Sequence, residues 1–299
     1  MQEPLKKIVV IVGPTASGKS SLAVHLASHF NGEVISADSR QVYRTLDIGT
    51  EKITEEEKAG IPHHLIDIVE PETIYTASDF LRDADAAIDD ITIRHKLPIV
   101  AGGTLFYVDS LLGNFSHANV PPNRELRAHL EQRSNDQLYA KLLEKDPTFA
   151  ASVDKHNPRR LIRALEIIEA KGKVPGLTPQ KRYEALIIGI DIDRDLLRER
   201  IATRLKETLT RGLIEETKKL LAAGVSKERL NEIGLEYRIV LEYFDKLIPE
   251  AMLEEKLVNK VWQYAKRQRT WLKRMENVQW INVGEKERAV ELVRGFLEK

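Results

Sequence analysis

The clearest hydrophobic pattern is a run of β-branched residues at positions 8–12, which ends at Gly13 and Pro14. A continuous apolar run of this length is typical of a strand buried on both faces of a parallel sheet. Apolar residues then recur at the spacing of a helix that begins at Lys19. The predicted inner face of this helix consists of Leu22, Ala23, Leu26 and Ala27.

Three later apolar runs, at residues 33–37, 97–101 and 185–190, predict further strands of the same sheet. Between the first two runs, Thr76 is placed to cap a helix, and Asp79 stands where a capping box requires an acidic side chain. Strands that alternate with helices in this way predict a doubly wound α/β fold.

The pattern changes from residue 120 onward. Residues 124–171 are typical of helices with charged faces, and residues 172–179 form a connector rich in Gly and Pro. We therefore predict a helical insertion at residues 118–182 within one α/β core, which consists of residues 1–117 and 183–299. A separate C-terminal domain is the alternative. Beyond residue 191 the chain is predicted to be helical, apart from a last short strand at residues 278–283.

Composition excludes several classes of protein. With 42% hydrophobic and 31% charged residues among 299, the chain is typical of globular proteins. No apolar run approaches the roughly 18 residues of a membrane helix, and residues 1–7 lack the apolar stretch of a signal peptide. The absence of cysteine excludes disulfides, thiolate zinc sites and cysteine nucleophiles. We expect a cytoplasmic protein with no membrane partner.

The charge balance restricts how the chain could bind nucleic acid. Its 46 basic and 46 acidic residues give a formal net charge of zero. There is no global attraction to nucleic acid, so any such binding must rest on local basic patches. The neutral charge neither requires nor forbids a dimer, and we expect a monomer.

Residues 13–20 match the phosphate-loop motif G-x-x-x-x-G-K-[ST] in full. The glycines let backbone N–H groups turn inward, and the helix N-terminus adds partial positive charge. Lys19 supplies a full charge, and the Ser20 hydroxyl is placed to ligate Mg²⁺. Because the motif lies between a strand and a helix, we predict a loop that binds a phosphate chain. It consists of Gly13, Pro14, Thr15, Ala16, Ser17, Gly18, Lys19 and Ser20.

Such a loop usually indicates a nucleotide hydrolase or a kinase, which holds magnesium with an Asp after a second apolar strand. Here the run at 97–101 ends in Gly-Gly, and the run at 185–190 leads to Asp191. The best-placed acid is Asp38, at the carboxyl end of a strand, where open α/β sheets bind ligands. From these residues alone, a carboxylate that caps a turn is an equal alternative for Asp38.

Seven motifs occur in order along the chain. They are GPTASGKS at 13–20, DSRQVY at 38–43, DIGT at 47–50, PHHLID at 62–67, GGTLFY at 102–107, NPRRLIRALE at 157–166 and KRQRTW at 266–271. This ordered set resembles one family, the tRNA dimethylallyltransferases. The resemblance covers nearly the whole chain. One segment departs from it: the family usually shows Gly-Tyr-[Lys/Arg]-[Glu/Gln], where residues 234–238 read GLEYR. The resemblance therefore predicts no contacts for residues 234–238.

The resemblance implies transfer of a dimethylallyl group from its diphosphate to N6 of adenosine-37, in the anticodon loop of tRNA. The implied fold is a parallel-sheet core like that of the P-loop NTPases, with a helical insertion and a helical C-terminal part. Asp38 would be the general base for N6, and Thr104 the second N6 contact. Lys19, the loop and Mg²⁺ would stabilise the departing diphosphate.

Arg200 and Arg204, one helical turn apart, are candidates to complete the diphosphate clamp, with a solvated helix face as the alternative. For Thr104 the alternative is a strand-end hydroxyl bonded to nearby backbone. The adjacent His63 and His64 would point to opposite sides of a strand, so we interpret them as structural or as part of a substrate wall, not as a zinc site.

The adenine must leave its stack to react, so we expect it to be flipped into a pocket, as single-stranded loops permit. Basic patches at 159–163 and 266–274 would contact phosphates, although a lone charge run is more often a solvated face. The predicted tRNA-binding residues are Asp38, Ser39, Arg40, Gln41, Thr104, Arg127, Arg159, Arg160, Leu161, Ile162, Arg163, Lys266, Arg267, Gln268, Arg269 and Trp271.

We therefore predict a magnesium-dependent transferase whose partners are tRNA and dimethylallyl diphosphate. One alternative is an isopentenyltransferase that acts on free adenine nucleotides, and the patch at 266–274 favours tRNA over it. A second is a small-molecule kinase that binds ATP at the phosphate loop. A third is a noncatalytic RNA-binding module, which would leave Asp38 and the intact loop without a role.

Overall fold

The apolar runs of the sequence form the strands of one parallel sheet. These strands are β1 Lys7–Val12, β2 Gly32–Ser36, β3 His63–His64, β4 Leu97–Ala101, β5 Glu184–Asp191 and β6 Val278–Asn282. In the computed structural model, which describes residues 4–114, 118, 120–176 and 180–299, they form a six-stranded sheet of order β3-β2-β4-β1-β5-β6. Every pair is parallel. The predicted α/β class is confirmed.

Helices connect the strands and continue beyond β5. The helices before the insertion are α1 Lys19–His29, α2 Glu55–Lys58, α3 Ala77–Ile93 and α4 Leu105–Leu111. Those of the insertion are α5 Arg124–Glu131, α6 Asn135–Lys145, α7 Pro147–Ala150 and α8 Pro158–Lys171. After β5 come α9 Arg194–Thr210, α10 Leu213–Ala222, α11 Lys227–Ile233, α12 Leu235–Phe244, a 3₁₀ turn at Glu250–Met252, α13 Leu253–Leu272 and α14 Lys286–Leu297. None of the described helices is long and apolar enough to cross a bilayer.

The chain divides into two compact units. The first comprises Met1–Leu112 and Lys181–Lys299, and the second comprises Gly113–Gln180. These bounds differ by a few residues from the predicted 118–182, and residues 119 and 177–179 of that prediction lie outside the described residues. Since β5 and β6 share a sheet with β1, the C-terminal part is not a separate domain.

Strand β1 is buried on both sides because successive side chains alternate between the two faces of the sheet. On one face, Ile8 and Val10 pack with Phe80 and Ile88 of α3. On the other face, β1 joins a cluster that contains α1 and α14, with the members Val9, Ile11, Leu22, Leu26, Val290 and Val293. The short apolar run of the sequence therefore forms the centre of the fold.

A third cluster joins the segment after β2 to the C-terminal helices. Val42 and Leu46 pack with Leu197, Tyr237 and Leu257 of α9, α12 and α13, and all five are fully buried. This packing fixes the chain that follows Asp38 against the helical part.

Two local predictions are also tested by the structure. Thr76 and Asp79 form the predicted capping box at the start of α3, with Thr76 N donating to Asp79 Oδ2 at 2.9 Å. The histidines of β3 have protein partners: the His63 ring contacts the Ile61 carbonyl at 2.8 Å, and His64 contacts the buried Glu33 at 2.7 Å. These contacts support the structural interpretation of both histidines.

The carboxyl ends of β2 and β4 lie unusually close together. Thr104 N donates to the Ala37 carbonyl at 3.1 Å. A Cβ added at Gly102 would lie 2.1 Å from that same oxygen. Only glycine therefore fits at position 102 without separating the strand ends that carry Asp38 and Thr104.

We expect Gly102→Ala to destabilise the protein, because the added Cβ would meet backbone that cannot rotate away. Overpacking of this kind typically lowers the free energy of unfolding by about 1–3 kcal/mol. In a large domain, each kcal/mol lowers the melting temperature by roughly 2–4 °C. Thermal unfolding followed by circular dichroism would measure the shift.

The matched control is Gly295→Ala in α14, where an added Cβ meets nothing within 4 Å. Its melting temperature should stay the same or rise, since alanine is the better helix former. Equal melting temperatures for Gly102→Ala and wild type would contradict the close approach.

Candidate active site

A cavity of about 760 Å³ lies at the carboxyl edge of the sheet, within the first unit. Its wall includes the phosphate loop after β1, Asp38 after β2 and Thr104 after β4. The carboxyl ends of parallel strands meet at one edge, which is where open α/β sheets bind ligands. The topology therefore brings together the three elements that the sequence predicts to be catalytic.

The phosphate loop has the geometry that its motif predicts. Gly18 adopts φ of 93°, which other residues rarely adopt, and it precedes the first turn of α1. The Lys19 ammonium donates to the Pro14 carbonyl at 2.8 Å, so its side chain folds back over the loop. The Ser17 hydroxyl is buried and has no hydrogen-bond partner among the described residues. Such an orphaned polar atom indicates a site that a polar ligand completes.

The electrostatics of the loop favour an anion. Burial lowers the pKa of Lys19 to about 8; repulsion from Arg204 adds to this, and attraction to Asp38 opposes it. A bound diphosphate would stabilise the charged ammonium and raise the pKa again. The loop is therefore a site whose cationic charge is only fully stabilised once an anion binds.

Arg204 is fixed against the loop, as the clamp prediction requires. Its Nη2 donates to Thr15 Oγ1 at 2.8 Å, and its Nε lies 3.7 Å from Glu51 Oε1. Arg200 is half-buried and lines the same cavity. Burial raises the pKa of Glu51. Glu51 was not predicted as a site residue, because it belongs to no recognisable ligand-binding motif.

Asp38 combines a turn with an exposed carboxylate oxygen. Its Oδ1 accepts hydrogen bonds from the backbone N–H groups of Arg40 at 2.9 Å and Gln41 at 3.4 Å. Within the part of the chain that the structure describes, no group donates to Oδ2. The turn and the catalytic interpretations of Asp38 are therefore compatible, because each uses a different oxygen.

The Thr104 hydroxyl is oriented by the segment after Asp38. It accepts from Ser39 N at 3.0 Å and donates to Ser39 Oγ at 3.2 Å. A hydroxyl has one proton and two acceptor lone pairs. These contacts use the proton and one lone pair, so Thr104 can still accept one hydrogen bond from a ligand.

Arg40 and Gln41, predicted to bind tRNA, have partners in the cavity wall. Arg40 pairs with the buried Glu236 at 2.7 Å and lies over the Tyr264 ring at 5.5 Å. Burial alone would lower the pKa of Arg40, but attraction to Glu236 reverses this and raises it. The Gln41 amide donates to the Glu51 carbonyl at 3.0 Å. Both side chains line the cavity, and their contacts also connect the segments that form its wall.

The segment that departs from the family pattern forms part of this wall through Glu236 and supports it through Tyr237. Glu236 holds Arg40, and the neighbouring Tyr237 donates to Glu216 Oε1 at 2.7 Å. Glu216 in turn accepts three backbone N–H groups at 2.7–2.9 Å, those of Asp47, Ile48 and Gly49. The GLEYR segment therefore orders both the Arg40 side chain and the DIGT motif.

Helix α13 presents only part of its predicted tRNA contacts to solvent. Lys266 and Arg267 are exposed, whereas Arg269 and Trp271 are half-buried. Trp271 donates its indole N–H to Asp109. Gln268 is 4% exposed, and its amide bonds Thr15 and Gly103 inside the protein. Gln268 therefore lies in the cavity wall and not on the exposed surface of α13, and its predicted tRNA contact stays a prediction.

In the second unit, the predicted tRNA contacts separate into surface and interior groups. Arg159 and Arg160 are exposed on α8. Leu161 and Ile162 are buried in the helical core, so the predicted contact is wrong for these two side chains.

Arg127 and Arg163 have a structural role in that unit, since both pair with the buried Glu166. Burial alone would raise the pKa of Glu166, but hydrogen bonds from Arg127, Arg163 and the Asn123 N–H lower it to about 2. Removing either arginine would leave a buried carboxylate with less compensation.

The residues of the cavity fit a magnesium ion that is held mainly by a substrate. The Ser20 hydroxyl is exposed at the first turn of α1, and the Asp38 carboxylate lines the same cavity. Among the described residues, no cluster of three or more His, Cys, Asp or Glu side chains could hold a metal. Magnesium commonly uses one or two protein oxygens together with substrate phosphates, which matches this donor set.

We expect the affinity for inorganic diphosphate to fall as the pH rises above about 8, because Lys19 then loses its proton. With one linked proton, the dissociation constant should rise by up to about tenfold per pH unit. Isothermal titration calorimetry between pH 7 and 10 would measure it. Lys19→Arg is the control, because arginine stays protonated over this pH range. Any pH dependence of its affinity therefore comes from the titration of the diphosphate itself, which affects both proteins equally. Equal slopes for the two proteins would show that Lys19 does not titrate in this range.

Comparison with known proteins gives a consistent result. The family model described as IPP transferase matches residues 41–275. A tRNA dimethylallyltransferase of Anoxybacillus flavithermus is 40% identical over 98% of this chain and 96% of its own length. Another, from Alkaliphilus oremlandii, is 41% identical over 93% of this chain and 92% of its own.

Solved structures agree. The tRNA isopentenylpyrophosphate transferase of Bacillus halodurans is 38% identical, with a TM-score of 0.74 over 98% of this chain and 97% of its own. A eukaryotic dimethylallyltransferase acting on tRNA is 30% identical, with a TM-score of 0.85 over 98% of this chain and 80% of its own. The resemblance seen in the sequence motifs is confirmed, and the chain belongs to the IPP transferase family.

Proposed function

We propose that this protein transfers the dimethylallyl group of dimethylallyl diphosphate to N6 of adenosine-37 in the anticodon loop of tRNA, as a cytoplasmic monomer. The observation that carries the proposal is one cavity that joins a phosphate loop to Asp38 and Thr104. Its relatives from A. flavithermus and A. oremlandii are named for the same transfer to tRNA.

The diphosphate binds at the phosphate loop. Backbone N–H groups at the start of α1, the Lys19 ammonium and the Arg204 guanidinium then meet negative charge that grows as the C–O bond breaks. Arg200 is placed to add a further positive charge. Ser20 would hold a magnesium ion together with the diphosphate, and the ion would supply Lewis-acid stabilisation of the leaving group.

The adenine enters from the side of Asp38 and Thr104. The N6 amine carries two hydrogens; one is donated to Asp38 Oδ2 and the other to the remaining lone pair of Thr104. The nitrogen lone pair is then free to point at the allyl carbon. Because delocalisation into the ring makes N6 a poor nucleophile, proton removal by Asp38 as the new bond forms accelerates the reaction.

The bond changes balance without any other reactant. The C–O bond of the allyl diphosphate breaks, and its electron pair leaves with the diphosphate. The N6 lone pair forms the new C–N bond, and the N6 proton passes to Asp38. The dimethylallyl group is transferred through its carbon atom, and both phosphorus atoms stay with the leaving group.

The rest of the tRNA is held by local positive charge. In the first unit, Lys266 and Arg267 are exposed on α13, and in the second unit Arg159 and Arg160 are exposed on α8. Such side chains contact phosphates and position the RNA without reading its bases. Local basic patches of this kind can bind RNA although the chain as a whole has a formal net charge of zero.

Incubation with unmodified tRNA, dimethylallyl diphosphate and magnesium should raise the mass of the tRNA by one dimethylallyl group in place of one hydrogen. Nuclease digestion and mass spectrometry would locate the change at the adenosine beside the anticodon. Transfer to AMP but not to tRNA would identify an enzyme of free nucleotides. Consumption of ATP with a phosphorylated small molecule would identify a kinase.

We expect Asp38→Asn to lower kcat by about 10²–10⁴-fold, the usual contribution of a general base. Asparagine keeps the Oδ1 acceptor for Arg40 N–H, so the turn should survive and the dissociation constant for tRNA should stay unchanged. Asp89→Asn is the matched control, because Asp89 is exposed and pairs only with Lys6 in the part of the chain described here. Turnover by Asp38→Asn at the wild-type rate would remove Asp38 as the base.

A further inference from the structure

Gln268 of α13 bridges the two segments that follow the neighbouring strands β1 and β4 and that form part of the cavity wall. Its Oε1 accepts from Thr15 N in the phosphate loop at 2.8 Å, and its Nε2 donates to the Gly103 carbonyl at 2.9 Å. The side chain is 4% exposed. One buried carboxamide thus links the loop after β1 to the strand end that carries Thr104.

We infer that Gln268 is a positioning residue, which sets the distance between the diphosphate loop and the adenine contacts. This inference rests on the function proposed above. A carboxamide is the side chain that offers an acceptor and a donor on one rigid group. Thr15 N–H requires an acceptor and the Gly103 carbonyl requires a donor, so the two sites specify an amide and its orientation.

The surroundings of Gln268 are built for this contact. A Cβ added at Gly103 would lie 2.7 Å from Gln268 Nε2, so glycine at this position makes room for the amide. Tyr264, one turn earlier on α13, donates to the same Gly103 carbonyl at 3.3 Å. The carbonyl therefore has two donors from one helix, which fixes α13 against the end of β4.

The Gln268 contact also determines how the loop presents its N–H groups. Thr15 N–H is directed to Gln268, while the Thr15 hydroxyl accepts from Arg204 at 2.8 Å. Thr15 is thus held on both sides, by α13 through its backbone and by α9 through its side chain. Loss of the Gln268 amide would release the loop, leave the Thr15 N–H without this partner and leave the Gly103 carbonyl with Tyr264 alone.

The variant Gln268→Met tests the inference, because methionine is unbranched and of similar length but makes neither hydrogen bond. We expect at least a tenfold rise in the dissociation constant for inorganic diphosphate with magnesium, measured by calorimetry without tRNA. In the transfer assay kcat/KM for dimethylallyl diphosphate should fall at least tenfold, while the dissociation constant for tRNA stays within twofold. Gln263→Met, at an exposed position of α13, is the matched control and should match wild type.

Gln268→Glu is the second variant, in case Gln268→Met does not fold. One carboxylate oxygen can still accept from Thr15 N–H, but the other faces the Gly103 carbonyl and repels it. The new carboxylate also lies beside the anion site and repels a diphosphate, so diphosphate binding should weaken at least as much as in Gln268→Met. The kcat value should fall too, because the Thr104 side is disturbed. Unchanged diphosphate affinity and unchanged kcat in both variants would overturn the inference.

A direct tRNA contact would give a different result. If Gln268→Met raised the dissociation constant for tRNA and left diphosphate binding unchanged, Gln268 would be an RNA contact and the inference would be wrong. The calorimetric test does not depend on turnover. If wild type bound diphosphate but transferred no dimethylallyl group, the proposed function would fail while the effect of Gln268 on the loop was still measured.

Discussion

The parallel alignment of β1, β2 and β4 is the constraint on which the rest of the site depends. Val10 of β1 is in register with Val100 of β4, and Ser36 of β2 is in register with Ala101 of β4. The loops that follow these strands therefore start at one level on one edge of the sheet. The phosphate loop, Asp38 and the more distant Thr104 come to face one cavity because their strands run in the same direction.

The C-terminal helices complete this edge with paired charges. Arg40 is held by Glu236, and Arg204 lies beside Glu51 and bonds Thr15. A buried arginine without such a partner would be costly, and each pairing also fixes the direction of a guanidinium. The net charge of zero thus conceals an ordered distribution, in which the cations and the carboxylates that pair with them line one cavity.

Much of the fold could be predicted because its signals are local. The β-branched runs, the capping box at Thr76 and the phosphate-loop motif are each defined by a few neighbouring residues. Helix α8 is an exception, because the motif that predicts tRNA contact there includes two residues of the helical core. Its apolar positions recur at helical spacing, so Leu161 and Ile162 were recognisable as core residues although they lie within a motif assigned to tRNA.

Contacts between distant residues could not be predicted from the sequence. Gln268 meets Thr15 and Gly103 only because α13 packs against the edge of the sheet, and nothing near Gln268 in the chain specifies those partners. The same holds for Glu216, which binds the backbone of the DIGT motif. Such polar pairs depend on tertiary packing, and side-chain type alone does not identify them.

The central claim is that a phosphate loop here holds a leaving group while carbon is transferred. Dimethylallyl diphosphate labelled with ¹⁸O at the bridging oxygen between carbon and phosphorus tests this most directly. After reaction with tRNA, mass spectrometry should find all of the label in the released diphosphate, because the C–O bond is the one that breaks. Label retained in dimethylallyl alcohol would show that the P–O bond breaks instead and would contradict the claim.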